Sequence, residues 1–262
     1  MADEDYLGMI NKATASLKLD VTEAEMANEA IKFSFSADQM KAIAEIFTDL
    51  ADKKHENAIN TLLRLSRLPM KVPKTFENYD FSLIHGKNAD RLKNLSALTE
   101  VHAGRNIIFI GPPGVGKTHL AEAYGNSCCK QGMKTYFLKA SELNDKFSNA
   151  RKFGREASVI NGLVKPTCLI IDEIGRCVFD EENTRMFFDM IDRRYAKEGP
   201  QTMIFTSNMQ PSKWSDFFSN NDALLSALDR LCDDAVIFNL KGQSYRGKKC
   251  ENLVAEAGVT VK

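Results

Sequence analysis

The sequence predicts an α/β fold with a five-stranded parallel sheet, preceded by a small helical N-terminal domain. Three observations predict this class. Five short apolar runs alternate with helical patterns after residue 106, which is typical of a parallel sheet covered by helices on both faces. The first run leads into a glycine-rich loop that opens a helix. Residues 1–66 instead carry apolar residues at helical spacing.

The composition excludes several classes of protein. The chain has 262 residues, of which 44% are hydrophobic and 27% charged, and its formal net charge is zero. These values are those of an ordinary globular protein and not of a disordered or collagen-like chain. No two of the six cysteines have C-x-x-C spacing, and there are only four histidines. We therefore expect no zinc site.

The sequence also predicts where the protein resides. Its N-terminus is acidic and lacks the apolar core of a signal peptide. No stretch approaches the roughly 20 apolar residues that a membrane helix needs. Free cysteines suit a reducing compartment. We expect a cytoplasmic protein without a membrane partner.

The predicted N-terminal domain covers residues 1–67. Residues 1–70 contain eight basic and twelve acidic residues, and we interpret them as a plain helical module with a solvated face rather than as a DNA-binding element. The apolar positions that predict its helices are Met40, Ile43, Ala44, Ile46, Phe47 and Leu50, then Ile59, Leu62, Leu63 and Leu65. Pro69 and Pro73 favour extended backbone, so we place the domain boundary near residue 68. The second domain then covers 68–250, and 251–262 form a tail.

The elements of the second domain follow from its pattern of apolar residues. The predicted strands are 107–110, 135–138, 168–171, 203–205 and 236–238. Five helices are predicted: from Gly116 to about Lys130, from a cap at Ser141 to about Lys152, a further stretch that ends at Leu163, 181–197, and from Asp222 to about Cys232. The helix over 181–197 has an apolar face formed by Met186, Phe187, Met190, Ile191 and Tyr195.

A phosphate-binding loop follows the first strand. Gly111-Pro112-Pro113-Gly114-Val115-Gly116-Lys117-Thr118 matches G-x-x-x-x-G-K-[ST] in full. The glycines let backbone N–H groups surround phosphate oxygens, and the helix behind them adds positive charge at its N-terminus. We expect Lys117 to reach the β- and γ-phosphates of ATP and the Thr118 hydroxyl to coordinate Mg²⁺. We include His119 in the predicted nucleotide site.

Two further strands end in polar residues. Asp172 and Glu173 follow the apolar run 168–171, at the sheet edge where parallel strands present their ligands. We expect Asp172 to hold Mg²⁺ and Glu173 to orient or activate the attacking water. Asn208 follows the run 203–205. If that strand lies beside the acidic one, the Asn208 amide points toward the γ-phosphate.

These motifs, in this order, resemble an AAA+ ATPase. The sequence around these motifs resembles the IstB-like family over about residues 68–247. The segments that carry this resemblance are Lys74 to Phe81, Gly111 to Leu120, Leu169 to Gly175 and Gly242 to Arg246. That family contains helper ATPases of insertion-sequence transposition and is related to the DnaC helicase loaders. The resemblance implies an AAA+ P-loop fold, ATP and Mg²⁺ as cofactors, and a homo-oligomer on DNA.

The resemblance also assigns roles to basic residues. Arg230 in Asp229-Arg230-Leu231 resembles an arginine finger that acts on the ATP of the next subunit. Arg246 resembles the second sensing arginine of the family. Relatives of this class contact the DNA backbone through a helical element after the second strand, where this chain has Lys146, Arg151, Lys152 and Arg155, with Phe147 and Phe153 between them. No base-reading motif is evident, so we expect largely sequence-independent DNA binding.

Three functions remain open at this point. The first is an ATPase that assembles on DNA and assists a transposase. The second keeps the ATPase but makes the partner a replicative helicase. The third is a small-molecule kinase on the same phosphate loop, against which the adjacent Asp172-Glu173 pair and the candidate finger argue.

Overall fold

The structure, a computed structural model, describes residues 5–84, 89–219 and 221–242. The chain forms two compact units that divide between Arg64 and Leu65. We call them the N-terminal unit and the sheet unit.

The N-terminal unit consists of three helices with a small core. They are α1 (Tyr6–Leu17), α2 (Glu23–Lys32) and α3 (Ala37–Leu65). Ile10, Met40 and Ala44 are buried at the centre of this core. Ile46 and Leu50, which the sequence places with them, are instead exposed. At 3.6 residues per turn they lie on other faces of α3 than Met40 and Ala44.

The sheet unit alternates strands and helices along the chain. Its strands are β1 (Ile107–Ile110), β2 (Thr135–Lys139), β3 (Cys168–Ile174), β4 (Thr202–Ser207) and β5 (Val236–Asn239). Its helices are α4 (Ala89–Lys93), α5 (Thr99–His102), α6 (Lys117–Lys130), α7 (Ala140–Lys152), α8 (Glu156–Val164), α9 (Glu181–Tyr195) and α10 (Asn221–Cys232). The predicted α/β class and the five strands are confirmed.

All five strands are parallel, and their order across the sheet is β2-β3-β4-β1-β5. The residues of β1 and β4 are buried throughout, as expected for central strands covered on both faces. This order brings the carboxyl ends of β1, β3 and β4 side by side. The phosphate loop, the acidic pair and Asn208 therefore meet at one edge of the sheet.

Strands β3 and β4 both run further than their apolar runs. Asp172 and Glu173 lie within β3 and do not follow it, because Ile174 pairs again with Ser207 of β4. The pairing shifts register between Ile171 and Ile174. Such an irregularity re-aims side chains beside a site, and no apolar pattern could have revealed it.

Two predictions about helices are wrong in detail. Ser141 does not cap α7, which begins at Ala140 with Lys139 as its N-cap. The Glu142 carboxylate accepts the backbone N–H of Lys139 at 2.9 Å and satisfies this helix end. Tyr195, predicted on the apolar face of α9, is 56% exposed, and its hydroxyl donates to Asp233 Oδ2.

A buried arginine fixes the opposite edge of the sheet. Arg194 on α9 is 1% exposed, and its guanidinium donates to five backbone carbonyls. The acceptors are the carbonyl oxygens of Leu163, Val164, Pro166, Thr167 and Thr202, at 2.9–3.3 Å. Burial lowers the pKa of Arg194 to about 10, so the group stays charged at neutral pH and joins the starts of β3 and β4.

We expect Arg194→Met to destabilise the sheet unit by about 3–5 kcal/mol, because buried carbonyls lose their donors. The neighbouring Arg193→Met removes an exposed ion pair with Asp189 and an exposed hydrogen bond to Asn161 Oδ1 and should cost less than about 1 kcal/mol. Urea unfolding followed by the fluorescence of Trp214, the only tryptophan and fully buried in this unit, measures both. Equal losses in the two variants would contradict the structural role of Arg194.

Candidate nucleotide-binding and hydrolysis site

A cavity of about 480 Å³ opens at the carboxyl edge of the sheet. The phosphate loop forms one wall, and the ends of β3 and β4 form another. Lys74, Asn78, Tyr79 and Asp80, from the segment before β1, complete it. Four separate stretches of sequence therefore surround one concave site.

The phosphate loop adopts a backbone that glycine permits. Gly116 has a φ of +92°, in the left-handed region, and N-caps α6. A Cβ atom on Gly116 would lie 2.7 Å from Cε2 of Tyr79, so a side chain here is excluded by contact as well as by conformation. The Tyr79 hydroxyl donates to the carbonyl of Val115 at 3.4 Å. Tyr79 therefore supports the loop from behind.

Lys117 is held at the centre of the loop. Its ammonium group donates to the carbonyls of Gly111 and Pro112 at 2.7 and 2.8 Å and to Asn208 Oδ1 at 2.8 Å. The side chain is 8% exposed. The loop is thus tied to the end of β4, and Asn208 lies beside the predicted phosphate position.

Asp172, on β3, connects α6, the helix that follows the phosphate loop, with β4. Its Oδ1 accepts a hydrogen bond from the Thr118 hydroxyl at 2.8 Å and another from the Thr206 hydroxyl at 2.6 Å. Burial raises the pKa of Asp172 above its ordinary value, while these two hydroxyls act in the opposite direction. The two predicted Mg²⁺ ligands, Thr118 and Asp172, are therefore in direct contact.

Glu173 sits at the irregular point of β3 with a φ of +62°. A left-handed conformation costs a residue other than glycine on the order of 1–3 kcal/mol. The Thr206 hydroxyl compensates by accepting the Glu173 backbone N–H at 2.9 Å. The Glu173 carboxylate lies 3.3 Å from a guanidinium nitrogen of Arg176 and 3.7 Å from Nζ of Lys139. Two cations thus hold the carboxylate at the cavity wall.

Two further titratable groups line the cavity. His119 Nε2 lies 2.9 Å from the carbonyl of Thr75, and burial lowers the pKa of its ring. The neutral ring donates through Nε2 to this carbonyl. Burial, with a smaller effect from the charge of Asp172, raises the pKa of Glu122 to about 7. Glu122 gave no signal in the sequence, because a glutamate inside a helix is ordinary.

Other residues that contribute here escaped the sequence analysis. Tyr79 lies in the segment that resembles the IstB-like family, and Thr206 lies in the polar end of β4, so both had a weak signal. Arg176 had none, and Lys139 stood out only as one of the basic residues after the second predicted strand. The position of both beside Glu173 depends on the neighbours that the sheet order gives to β3.

Some predicted site residues lie away from the cavity. Arg230 is exposed on α10 and forms an ion pair with Asp192 of α9. Arg246 lies outside the described residues. The predicted DNA-binding residues lie on α7 and the turn after it, where Arg151 forms a 2.6 Å ion pair with Asp180. Phe147 does not belong to that surface, because it is fully buried in the core of the sheet unit.

This fold and site define a P-loop ATPase of the AAA+ class. The model of the family described as IstB-like ATP binding protein matches residues 13–252, and the chain belongs to this family. The match begins well before residue 68, so the family extends further into the N-terminal unit than the sequence motifs indicate.

Curated relatives come from insertion sequences. The chain is 38% identical to the ATP-binding protein of insertion sequence IS5376 from Geobacillus stearothermophilus, over 74% of this chain and 75% of the relative. It is 33% identical to the ATP-binding protein of insertion sequence IS21 from Pseudomonas aeruginosa, over 80% of this chain and 76% of the relative.

Solved structures share the fold. AMPPCP-bound DnaA from Aquifex aeolicus superposes with a TM-score of 0.54 at 24% identity, over 67% of this chain and 51% of DnaA. DnaI superposes with a TM-score of 0.53 at 16% identity, over 70% of this chain and 92% of DnaI.

Among the residues that the structure describes, no helix has the length and apolarity to cross a membrane.

Proposed function

We propose that this ATPase assembles as a homo-oligomer on DNA and assists the transposase of an insertion sequence. The observation that carries the proposal is the contact of Asp172 with both Thr118 and Thr206, which places the acidic pair against the phosphate loop. Relatives at 33–38% identity are insertion-sequence ATP-binding proteins, which supports a transposase as the partner.

The proposed roles follow from the geometry of the cavity. The loop from Gly111 to Thr118 and the adjoining His119 would hold ATP. Glu173 would orient or activate the attacking water, and Asn208 would contact the γ-phosphate. Hydrolysis without an acceptor molecule fits a site whose second wall carries carboxylates.

Mg²⁺ fits the donors at this site. The Thr118 hydroxyl and the Asp172 carboxylate are hard oxygen ligands that lie side by side, as Mg²⁺ prefers. No group of three or more His, Cys, Asp or Glu side chains that could hold a metal alone occurs within the described ranges. The ion would therefore depend on nucleotide phosphates for its remaining ligands, and it would neutralise their charge.

DNA binding would use the basic residues near the C-terminal end of α7. Lys146, Lys152 and Arg155 would neutralise backbone phosphates and release counterions. Arg151 would contribute less, because its guanidinium already forms an ion pair with Asp180. Phosphate contacts carry no sequence information, so binding would be largely independent of sequence.

The helicase-loader alternative is less well supported. DnaC superposes with a TM-score of 0.50 at 18% identity, a likeness of fold alone. A kinase would need an acceptor site beside the γ-phosphate, where this chain places Glu173 and Arg176.

We expect the protein to release phosphate from ATP without an acceptor, faster with DNA present, and to stimulate strand transfer by the transposase encoded in the same element. Glu173→Gln should still bind ATP but hydrolyse it slowly, and Lys117→Ala should lose tight ATP binding. A phosphate-release assay measures hydrolysis, a nucleotide-binding assay measures ATP affinity, and a strand-transfer assay measures the effect on the transposase. Transfer of phosphate to a small acceptor would instead support a kinase, and loading of a replicative helicase without any effect on strand transfer would support the loader.

Arg230 gives a sharper test of assembly. As a finger acting on the neighbouring subunit, it should be dispensable for ATP binding, yet Arg230→Ala should lower hydrolysis by about 10³–10⁵. A mixture of Arg230→Ala and Lys117→Ala should regain activity, because some interfaces pair an intact loop with an intact arginine.

The control for this test is Arg185→Ala. Arg185 is also exposed and ion-paired, to Glu181 and Glu182 on α9, so its loss should leave hydrolysis nearly unchanged. If mixed oligomers form on DNA without any recovery of activity, Arg230 does not act between subunits.

A further inference from the structure

An exposed aromatic ring at the turn that joins α7 to α8 has two cations within 6 Å of its centroid. The ring of Phe153 is 62% exposed. Lys152 Nζ lies 5.8 Å from its centroid, and the guanidinium carbon of Arg155 lies 5.9 Å from it. Both distances are within the range of cation–π attraction.

The backbone holds this ring in place. Gly154 has a φ of +63°, and the Arg155 N–H donates to the carbonyl of Ala150 at 2.8 Å, which closes the end of α7. On the same helix Phe147 is fully buried. The exposure of Phe153 is therefore a property of a fixed turn.

The two cations at Phe153 differ from other arginines of this surface. Arg151 pairs with Asp180, and Arg67 pairs with Glu142. Within the described part of the chain, Lys152 and Arg155 have no carboxylate within ion-pair distance. Their charges face solvent beside a ring, where an anionic ligand with an aromatic group would find both partners.

A second aromatic residue with two cations lies on β2, the strand that leads into α7. Tyr136 is half-buried on β2, the edge strand, with Lys146 Nζ 6.0 Å and the guanidinium carbon of Arg67 5.8 Å from its centroid. Lys146 precedes Phe153 by two helical turns, about 10 Å along α7. Aromatic rings alternating with cations are the usual surface for single-stranded nucleic acid.

We propose that Phe153, with Lys152 and Arg155, forms a stacking platform for an unpaired DNA base. The proposal rests on the DNA binding proposed above and names the form of DNA that this surface takes. The ring offers a flat face to any base, and the two cations neutralise the adjoining phosphates. In an intact duplex both faces of each base are already stacked, so the platform engages DNA only where strands are single or locally unpaired.

The ring distinguishes base stacking from an apolar protein contact. A protein partner would accept leucine as another apolar side chain of similar size, whereas base stacking needs an aromatic face. We therefore compare full-length wild type, Phe153→Leu, Phe153→Trp and the double variant Lys152→Gln/Arg155→Gln. Fluorescence anisotropy with a labelled oligothymidine and with a fully paired duplex, each at several salt concentrations, gives the affinities. Thermal melting verifies that each variant is folded.

Phe153→Leu should weaken binding of the single strand by about 5- to 150-fold with an unchanged salt slope, and should leave duplex affinity near that of wild type. Phe153→Trp should bind the single strand at least as tightly as wild type. The double variant should bind both DNAs more weakly and should reduce the salt dependence of their affinities.

Single-strand affinity of Phe153→Leu equal to that of wild type would overturn the platform, as would an equal loss on single strand and duplex. Duplex binding by wild type tests the proposed function separately, because it depends on the cations and not on the ring. Wild-type protein that binds neither DNA would overturn both proposals.

Discussion

The site depends on one shared carboxylate. Asp172 Oδ1 accepts hydrogen bonds from Thr118 on α6 and from Thr206 on β4. A single buried oxygen on β3 therefore connects the end of the phosphate loop with β4. A buried carboxylate is costly unless donors satisfy it. The two hydroxyls meet that need, and in doing so they fix the distance between the loop and the acidic pair.

The same threonine also determines the position of the neighbouring residue. Thr206 Oγ1 accepts the backbone N–H of Glu173, and this bond replaces a ladder contact where β3 and β4 shift register. Glu173 consequently adopts a strained left-handed conformation with its carboxylate at the cavity wall, close to Arg176 and Lys139. Backbone strain persists when its surroundings over-determine the conformation, and here the hydrogen bond to Thr206 and the two cations hold Glu173 in place.

Much of this architecture is encoded locally and could be predicted. Apolar runs identify the strands, and the glycines with Lys117 identify the loop, because each signal lies within a few residues. The contributions of Tyr79, Thr206 and Glu122 could not be derived in this way, since they arise from strand order and from the burial that follows it. Two local signals were misleading. Ser141 looked like a helix cap, but Lys139 is the N-cap of α7 and Glu142 satisfies it. Phe147 looked like a surface ring, but it packs in the core of the sheet unit.

The most direct test of the central role of Asp172 is a comparison of Thr206→Val with Thr206→Ser. Valine keeps the shape but removes the hydroxyl, so ATP affinity should stay within about threefold of wild type, while turnover falls about 10- to 100-fold because the hydrogen bonds to Asp172 and Glu173 are both lost. Serine keeps the hydroxyl and should retain turnover within a few-fold. Turnover by Thr206→Val equal to that of wild type, or equal losses in both variants, would contradict the account.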